Sequence, residues 1–333
     1  MRSRGWFGLG AVLLMAVACT AVAEEMRYIR IGAGPPGDSH FQLGSVIVSA
    51  ISSPPGGLPC SDDVACGTPG LIATAPTTGG SVADVTAIAE GRLDAALVQS
   101  DIAWWAMQGK APYAAQPLAG LRTVSNLYPD YIHLVVRRDS PIRTLKDLAG
   151  KKVSLGNEGS GTLAHARLVL DAWGLPERRI KAQFLQTSLA ADVLAKGEID
   201  AFFLVDGTPA PSVAALARRL PIRLVPLDGA QRMALARQDP LLSPANIPAD
   251  TYEGISGDIA TLQVPVSLIV AAKLPDNLVY GIAKALWQPE TTRLLAANRA
   301  RADAMIPASA VNQLGVPLHA GAQRYYRDIG LAF

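Results

Sequence analysis

Short apolar runs alternate with amphipathic segments along most of the chain, which is typical of strands and helices in alternation. This alternation predicts an α/β fold with mostly parallel sheets. The predicted strands are 28–31, 71–75, 95–99, 132–137, 152–155, 181–186, 201–205, 222–226 and 264–271. The predicted helices are 40–51, 82–89, 145–148, 163–173, 189–195, 212–220, 277–287 and 289–298.

One pattern occurs twice, at residues 87–101 and 193–207. Each copy runs through a helix end, a glycine, a charged residue, an apolar residue, Asp-Ala, a short apolar strand and a polar loop. Upstream of each copy, a strand at 29–32 or 153–156 leads into a glycine-rich loop. Two similar α/β units predict two lobes with a cleft between them, where a ligand would bind.

Two segments, 132–137 and 264–271, are predicted to be strands that cross between the lobes and act as hinges. One lobe is then continuous, and the other is divided between the two ends of the chain. The predicted organisation is a signal peptide at 1–23, lobe one at 24–131 and 272–333, and lobe two at 138–263.

The N-terminus has the three parts of a secretory signal peptide. Arg2 and Arg4 precede an apolar run over 5–18, and a small-x-small sequence follows and ends at Ala23. We predict cleavage after Ala23 and a periplasmic mature protein. One alternative is an uncleaved anchor, although the run is shorter than the roughly 20 residues of a membrane span. The other is a lipoprotein in which Cys19 is lipidated.

Cleavage leaves two cysteines and a balanced charge. The formal net charge of the whole chain is +2, and Arg2 and Arg4 are the only charged residues in the segment removed. The mature chain has no run of Lys and Arg, so a nucleic-acid site is not predicted. In an exported protein, Cys60 and Cys66 are predicted to form a disulfide that pins a local loop. Without neighbouring histidines, they do not predict a metal site.

Three glycine-rich loops precede predicted helices and carry the candidate binding residues. The loop at 32–37 matches the G-x-G-x-x-G dinucleotide pattern, but residues 52–54 lack the acid that such a site places roughly 20 positions further on. The loop at 156–162 has P-loop spacing without the P-loop lysine. With a third loop at 77–81, these loops are predicted to hold a small anion through backbone N–H groups at helix N-termini. The alternative is ordinary N-capping of each helix by its own Ser or Thr.

Patterns that indicate catalysis or a cofactor are scarce. The histidines show no metal-binding spacing, and neither Ser81 nor Ser160 lies in a G-x-S-x-G sequence. His40 follows the first glycine-rich loop and is the histidine that we place in the cleft. His133 alternates within an apolar strand, which favours a structural role. No metal and no cofactor are predicted.

A series of short motifs along the mature chain resembles the TAXI family, the TRAP-associated extracytoplasmic solute-binding subunits of bacterial TRAP transporters. Each motif is weak alone, and their order makes the set specific. The motifs are IGAG at 31–34, GTPGLIA at 67–73, TTGGSV at 77–82, QSDIA at 99–103, LYP at 127–129, GSGT at 159–162 and PLHAGAQRYY at 317–326.

The resemblance implies a type II periplasmic binding protein-like fold, in which two α/β lobes joined by two hinge strands close on a ligand in the cleft. It implies capture of a small organic acid, glutamate-like or dicarboxylic, or of an amino acid. A monomeric receptor would then deliver this ligand to a TRAP-type membrane permease. Carried over to this sequence, the ligand-binding residues are Gly34, Ser39, His40, Phe41, Thr78, Gly80, Ser81, Gln99, Ser100, Asp101, Gly159, Ser160, Gly161, Thr162, Gly207, Thr208 and Pro209.

One of these loops departs from the family. Where the family usually has Thr-Tyr-Tyr-Pro, this chain has Ser-His-Phe-Gln at 39–42, so an imidazole replaces an aromatic hydroxyl. An ionised Asp38 beside it favours a ligand with a cationic group, such as an amino acid. The main hypothesis is a receptor that performs no chemistry. The alternatives are a ligand-binding sensor for a membrane histidine kinase and a periplasmic hydrolase.

Overall fold

The computed structural model describes residues 26–57, 66–110, 112–114, 116–297 and 305–333. Its strands are β1 Arg27–Gly32, β2 Ser52–Ser53, β3 Thr68–Pro69, β4 Leu71–Thr74, β5 Ala95–Gln99, β6 Leu121–Arg137, β7 Lys152–Ser154, β8 Lys181–Gln183, β9 Ala201–Asp206, β10 Ile222–Leu224, β11 Ser243–Ile247 and β12 Ile259–Ala271. Its α-helices are α1 Ser39–Ile51, α2 Ser81–Ala89, α3 Ser100–Gln108, α4 Gly161–Ala172, α5 Thr187–Ala195, α6 Pro211–Arg219, α7 Ala230–Gln238, α8 Asp276–Leu286, α9 Pro289–Ala297 and α10 Ala320–Asp328. Short 3₁₀ helices lie at Leu145–Leu148, Glu177–Arg179 and Pro307–Ser309.

A mixed sheet in the order β4-β1-β5-β12-β6-β9-β7-β8 links the whole molecule. At one end β1 runs parallel to β4 and β5, and at the other end β7 runs parallel to β8 and β9. Between them, β6 and β12 pair with each other in antiparallel fashion along their length. These two strands have 17 and 13 residues. Because β12 pairs with β5 and the second half of β6 pairs with β9, they connect the two ends of the sheet.

The sheet order divides the fold into two α/β lobes, and β6 and β12 join them. We use "lobe one" for β1, β4 and β5 with α1–α3 and α8–α10, and "lobe two" for β7–β11 with α4–α7. This arrangement confirms the predicted fold class, a type II periplasmic binding protein-like α/β fold. The lobe boundaries given above by residue number stay a prediction.

Both lobes have helices on both faces of their part of the sheet. In lobe one, α1 and α8 pack on one face and α2 and α3 on the other. In lobe two, α4 covers one face and α5 and α6 the other. Strands covered on both sides are almost continuously apolar, and every residue of β5 and of β9 is buried. The polar residues at the ends of these two strands, Gln99 and Asp206, therefore lie where the sheet meets the cleft.

Several elements differ from the sequence-based expectation. The predicted strand at 132–137 is only the second half of β6, and the predicted helix at 145–148 is a 3₁₀ turn with a capping box between Thr144 and Asp147. Helices α3, α7 and α10 were not predicted. Helix α7 has almost no apolar periodicity, and α3 follows β5 directly without a separating loop. The start of α10 depends on a cap by the His319 ring, which accepts from Gly321 N at 3.1 Å.

Two sequence-based predictions concern covalent processing, namely the signal peptide and the disulfide. The predicted signal peptide, with Cys19, lies outside the described residues, and so does Cys60. Cys66 is disulfide-bonded. Among the helices that the structure describes, none combines the length and the apolar character needed to cross a bilayer.

Candidate functional site

The two lobes touch through the glycine-rich loops that precede α2 and α4. Ala83 N donates to Gly159 O at 2.9 Å, and Asn157 Nδ2 donates to Gly79 O at 2.8 Å. At the start of α4, a Cβ on Gly161 would overlap Oε1 of Gln99, so only glycine permits this approach. The structure therefore shows the lobes in a closed arrangement.

A small cavity remains between the closed lobes. It has a volume of about 20 Å³, which is room for a group about the size of a water molecule. Lobe one contributes the loops around Gly34 and Gly80 and the end of β5, and lobe two contributes the start of α4 and the end of β9. The lining residues are Gly34, Pro35, Asp38, His40, Gly80, Ser81, Gln99, Ser160, Gly161, Thr162, Val205 and Asp206.

Asp130, in the middle of β6, is the carboxylate on which the polar groups of lobe one converge. His40 Nε2 lies 2.8 Å from its Oδ2, and Gln99 Nε2 donates to the same oxygen at 2.7 Å. Ser81 Oγ in turn donates to Gln99 Oε1. The Asp130 side chain is fully buried, and its Oδ1 meets no hydrogen-bond partner within the described chain. One face of this buried carboxylate is thus unsatisfied.

Two carboxylates, Asp206 and Asp38, line the cavity, while Asp130 lies behind the His40 and Gln99 side chains that line it. Asp206, at the end of β9, accepts from Ser39 N at 3.2 Å and from Gly207 N at 2.8 Å, so it holds the N-terminus of α1 against lobe two. Asp38 is the residue that precedes α1. Its Oδ1 is out of contact with solvent and has no hydrogen-bond partner among the described residues.

Burial and mutual repulsion shift the pKa values of these groups. Burial, with the charge of Asp206 adding to it, raises the pKa of Asp38 to about 8. Burial and the charge of Asp130 raise the pKa of Asp206 to about 6. For His40, burial alone would lower the pKa, but the charge and hydrogen bond of Asp130 outweigh it and raise the pKa to about 9. We call Asp38, His40, Asp130 and Asp206 the His40 cluster.

A second buried group of polar side chains also joins the lobes. His165 Nε2, on α4, lies 2.6 Å from Asp101 Oδ2 on α3, and His165 Nδ1 lies 2.7 Å from Gly161 O. Trp105 Nε1, on α3, donates to Asp239 Oδ2 of lobe two at 2.6 Å. We call Asp101, Trp105, His165 and Asp239 the His165 cluster. Burial would lower the pKa of His165, but the charge of Asp101 and its hydrogen bond raise it.

A larger cavity of about 710 Å³ lies beside the His165 cluster, also between the lobes. Trp104 and Trp105 of lobe one face Leu163 and Leu168 of α4 across it. Its two cationic side chains already have partners. Lys110 Nζ lies 3.7 Å from the centroid of the Trp104 ring, and Arg167 Nε lies 2.7 Å from Glu177 Oε2. The larger cavity is therefore mainly apolar, and the unsatisfied polar groups are in the small one.

The structure brings many of the predicted site residues together. Those that line the small cavity are Gly34, His40, Gly80, Ser81, Gln99, Ser160, Gly161 and Thr162. Their role in ligand binding stays a prediction.

The other predicted residues lie elsewhere. Ser39 N donates to Asp206 of lobe two, and Thr78 Oγ1 accepts from Gly34 N. Ser100 Oγ lies 2.6 Å from Ser267 Oγ inside lobe one, and Asp101 is held by His165. Gly159 lines the larger cavity. Phe41, Gly207, Thr208 and Pro209 line neither of the two cavities.

Sequence reasoning missed Asp130 and His165 as members of these clusters. Asp130 lies inside a long strand directly after Pro129, and His165 lies within the apolar periodicity of α4. The available signal was a polar residue within an otherwise buried run, because such a residue needs a partner from another element. Nothing in the local sequence indicates which element supplies it.

The chain belongs to the NMT1-like family, whose model matches residues 31–330. The assignment to the TAXI family is therefore wrong, and the TRAP-type permease that this resemblance implied as partner has no support. The short motifs that suggested TAXI are mostly loop sequences at helix starts. Chains of one fold share such loops because the turn geometry requires them.

The solved structures to which the chain is similar include the following proteins. The alkanesulfonate-binding protein SsuA from Xanthomonas axonopodis pv. citri, bound to MOPS, shares 19% identity over 92% of this chain and 85% of its own, with a TM-score of 0.48. The periplasmic aliphatic sulphonate binding protein SsuA from Escherichia coli shares 16% identity over 90% and 82%, with a TM-score of 0.44. A periplasmic substrate-binding protein of an ABC transporter from Coxiella burnetii shares 14% identity over 84% and 99%, with a TM-score of 0.42. What those proteins bind is a property of those proteins.

Proposed function

We propose that this member of the NMT1-like family is an extracytoplasmic solute-binding protein whose lobes close on a small solute at the small cavity. The observation that carries the proposal is that both lobes contribute residues to the cavity walls. His40 and Ser81 come from lobe one, Ser160 and Asp206 come from lobe two, and β6 and β12 connect the two lobes. A solute that contacts both walls binds the closed form better than the open form, so it shifts the equilibrium toward closure.

The solute enters while the lobes are apart, because the closed cavity holds only about 20 Å³. Rotation about β6 and β12 then brings the walls together. The ligand that we propose is a small organic acid or amino acid. A micromolar dissociation constant corresponds to about 8 kcal/mol of binding free energy, which a few charge-assisted hydrogen bonds in an enclosed site can supply.

The loop serines support a binding role rather than hydrolysis. Ser81 Oγ donates to Gln99, and Ser160 Oγ donates to Asn157 O at 2.6 Å while it caps α4 by accepting from Leu163 N at 3.0 Å. Both hydroxyls therefore have structural roles. Neither makes a hydrogen bond to a histidine within the described residues, as a serine nucleophile requires.

The place and partner of the protein form part of the same proposal. The signal-like segment at 1–23 supports export, and a receptor outside the membrane delivers its solute to a membrane permease. The similar structures named above include components of ABC transporters, so a permease of that type is the partner to test. Co-purification of the mature chain with a permease encoded beside it would measure this association directly.

The mature chain, residues 24–333, tests the binding function. We expect at least one member of a library of organic acids and amino acids to raise the melting temperature, and calorimetry to give a one-to-one complex. We also expect small-angle scattering to show a smaller radius of gyration with that ligand than without it. A library in which no compound stabilises the protein at millimolar concentration would contradict the proposal.

A further inference from the structure

We propose that the small cavity recognises a protonated amine, which the carboxylates of Asp38 and Asp206 hold as hydrogen-bond acceptors. This inference rests on the proposed function and names the chemical class that the same site takes. It replaces the anion expected at the helix N-termini and develops the other sequence-based expectation, that Asp38 favours a cationic group.

The charges around the cavity favour a cation. Three carboxylates belong to the His40 cluster, and His40 is its only base. Among the described residues that line the cavity there is no Lys and no Arg. A ligand carboxylate would add a fourth acid to a buried site with one imidazolium, whereas an ammonium group would balance it.

The unsatisfied atoms point to the same class. Oδ1 of Asp38, a residue that lines the cavity, is a buried acceptor without a donor in the described part of the chain. Oδ1 of Asp130, which does not line the cavity, is a second such acceptor in the same cluster. An ammonium group has three N–H donors and no acceptor, while a ligand carboxylate has acceptors only. An amine therefore supplies what the site lacks.

Some of the backbone donors at the glycine-rich loops and helix starts are already engaged. Ser39 N, at the start of α1, donates to Asp206, and Leu163 N, at the start of α4, donates to Ser160 Oγ. At the start of α2, Ala83 N donates to Gly159 O. The first glycine-rich loop is similar, since Gly34 N donates to Thr78 Oγ1 at 3.0 Å. The donors of Ser39 and Ala83 thus hold the two lobes together. Those of Leu163 and Gly34 serve their own lobes and are likewise taken.

The size of the cavity is consistent with a single head group. About 20 Å³ accommodates one small polar group, which is the size of an ammonium group. The rest of the ligand would lie outside the cavity and extend along the surfaces that meet when the lobes close.

The test compares amines with carboxylates on the mature chain at pH 8. The amine probes are methylammonium, 1,4-diaminobutane and L-lysine, and the anion probes are acetate, succinate and 2-oxoglutarate. Sodium chloride and magnesium chloride at matched ionic strength control for screening and for divalent cations. We expect at least one amine to raise the melting temperature by about 2 to 4 °C at saturating concentration, and no anion to do so.

Two variants locate the effect. Asp38→Asn removes the charge and keeps the shape, and we expect it to weaken binding of the active amine at least tenfold. Asp171→Asn makes the same change at an exposed carboxylate that lines the larger cavity, and its affinity should equal that of the wild type. Circular dichroism and the melting temperature of each variant without ligand check that both fold.

Calorimetry in two buffers of different ionisation enthalpy adds the sign of the proton exchange. Since Asp38 and His40 are partly protonated near pH 8, an arriving cation should release protons, up to about one per ligand. Proton uptake would overturn the proposal, as would an amine that binds Asp38→Asn as tightly as the wild type.

The failures of the two proposals are distinguishable. If an anion stabilises the protein and no amine does, the ligand class is wrong and the solute-binding function stands. If neither set stabilises it and the wider library also fails, both proposals are wrong.

Discussion

Two buried histidine–aspartate pairs form where the lobes meet, and their surroundings differ. His40 faces Asp130 within lobe one, beside Asp206 of lobe two, and the small cavity lies next to them. His165 of lobe two faces Asp101 of lobe one, and neither residue lines either cavity, although Trp105 and Asp239 of their cluster line the larger one. The side chains of both clusters are almost entirely buried, with the exception of Asp38.

The two clusters differ most in how completely their polar atoms are paired. In the His165 cluster, both ring nitrogens face acceptors, and Asp101 Oδ1 accepts from Ile102 N at 2.8 Å. Asp239 is also fully used, because it accepts from Trp105 and from Leu241 N. In the His40 cluster, one oxygen of Asp38 and one of Asp130 have no donor in the described chain.

The two clusters are built from similar residue types, but the difference in pairing indicates a structural role for one and a functional role for the other. A fully paired buried network rigidifies the fold that contains it, whereas a partly paired one is unfavourable until something completes it. We therefore interpret the His165 cluster as a clasp that holds the lobes together and the His40 cluster as the place that a ligand completes. The predictions below test this division, beginning with the largest expected effect.

Replacing His165 should break the clasp. In His165→Ala, Asp101 Oδ2 and Gly161 O lose their donor inside a buried interface, and the loss should cost about 3 to 5 kcal/mol of unfolding free energy. Urea denaturation at pH 6 measures it. Arg219→Ala, which breaks an exposed ion pair with Asp192, is the control and should cost less than about 1 kcal/mol. Equal losses in the two variants would contradict the comparison.

The pH dependence of stability should reflect the His40 cluster. The pKa of His40 is raised to about 9, so the folded state keeps a proton that the unfolded state loses above about 6.5. This stabilisation is fully present below pH 6.5 and is lost as pH rises through 9. The raised pKa of Asp38 acts in the same direction, since its ionisation is unfavourable only in the folded state.

The unfolding free energy without ligand should therefore fall between pH 7 and 9. The slope should be about 1.4 kcal/mol per pH unit for each proton that the folded state holds and the unfolded state has lost. Urea titrations at pH 7, 8 and 9 measure the slope. His40→Gln removes one titrating group and should give a shallower slope than the wild type. Stability that rises with pH over this range would show that the sign is wrong.

The sequence could predict those features of the fold that depend on interactions between residues close together in the chain. Periodicity and the repeated pattern were enough for the α/β lobes, because strands buried on both faces must be apolar and the loops at their ends must be polar. The glycine-rich loops were placed at the cavity for the same reason. Gly161 is there because a loop that approaches Gln99 so closely has no room for a side chain.

The chemistry of the site could not be predicted in this way. The expectation of an anion assumed that the N–H groups at the helix starts were free, and Asp206, 167 residues from Ser39, takes one of them. Asp101 was expected to face the ligand, and His165, 64 residues away, takes it. Such partners depend on how β6 and β12 bring the lobes together, which is not encoded in a local pattern.

Preventing the lobes from closing should weaken ligand binding more than it weakens the fold. In Gly161→Ala, the added methyl group overlaps Gln99 Oε1, which Ser81 holds in place. Overpacking of this kind costs about 1 to 3 kcal/mol, here in the closed form, so affinity should fall about tenfold or more. Calorimetry measures the affinity, and scattering should show a larger radius of gyration with ligand than for the wild type. Gly257→Ala, in open space, is the control, and equal affinities would indicate that closure is not needed.

The smallest expected effect concerns Asp84, a fully buried carboxylate near the cavity that does not line it. Burial raises its pKa to about 7, against the opposing effects of Thr78 and His40. Between pH 6 and 8 the folded wild type must give up this proton, while the unfolded chain has already lost it. The stability of Asp84→Asn relative to the wild type should therefore increase by about 1 kcal/mol from pH 6 to pH 8. Its ligand affinity should be unchanged, in contrast to Asp38→Asn. A changed affinity would place Asp84 in the ligand site and blur the division between carboxylates that bind and carboxylates that are merely buried.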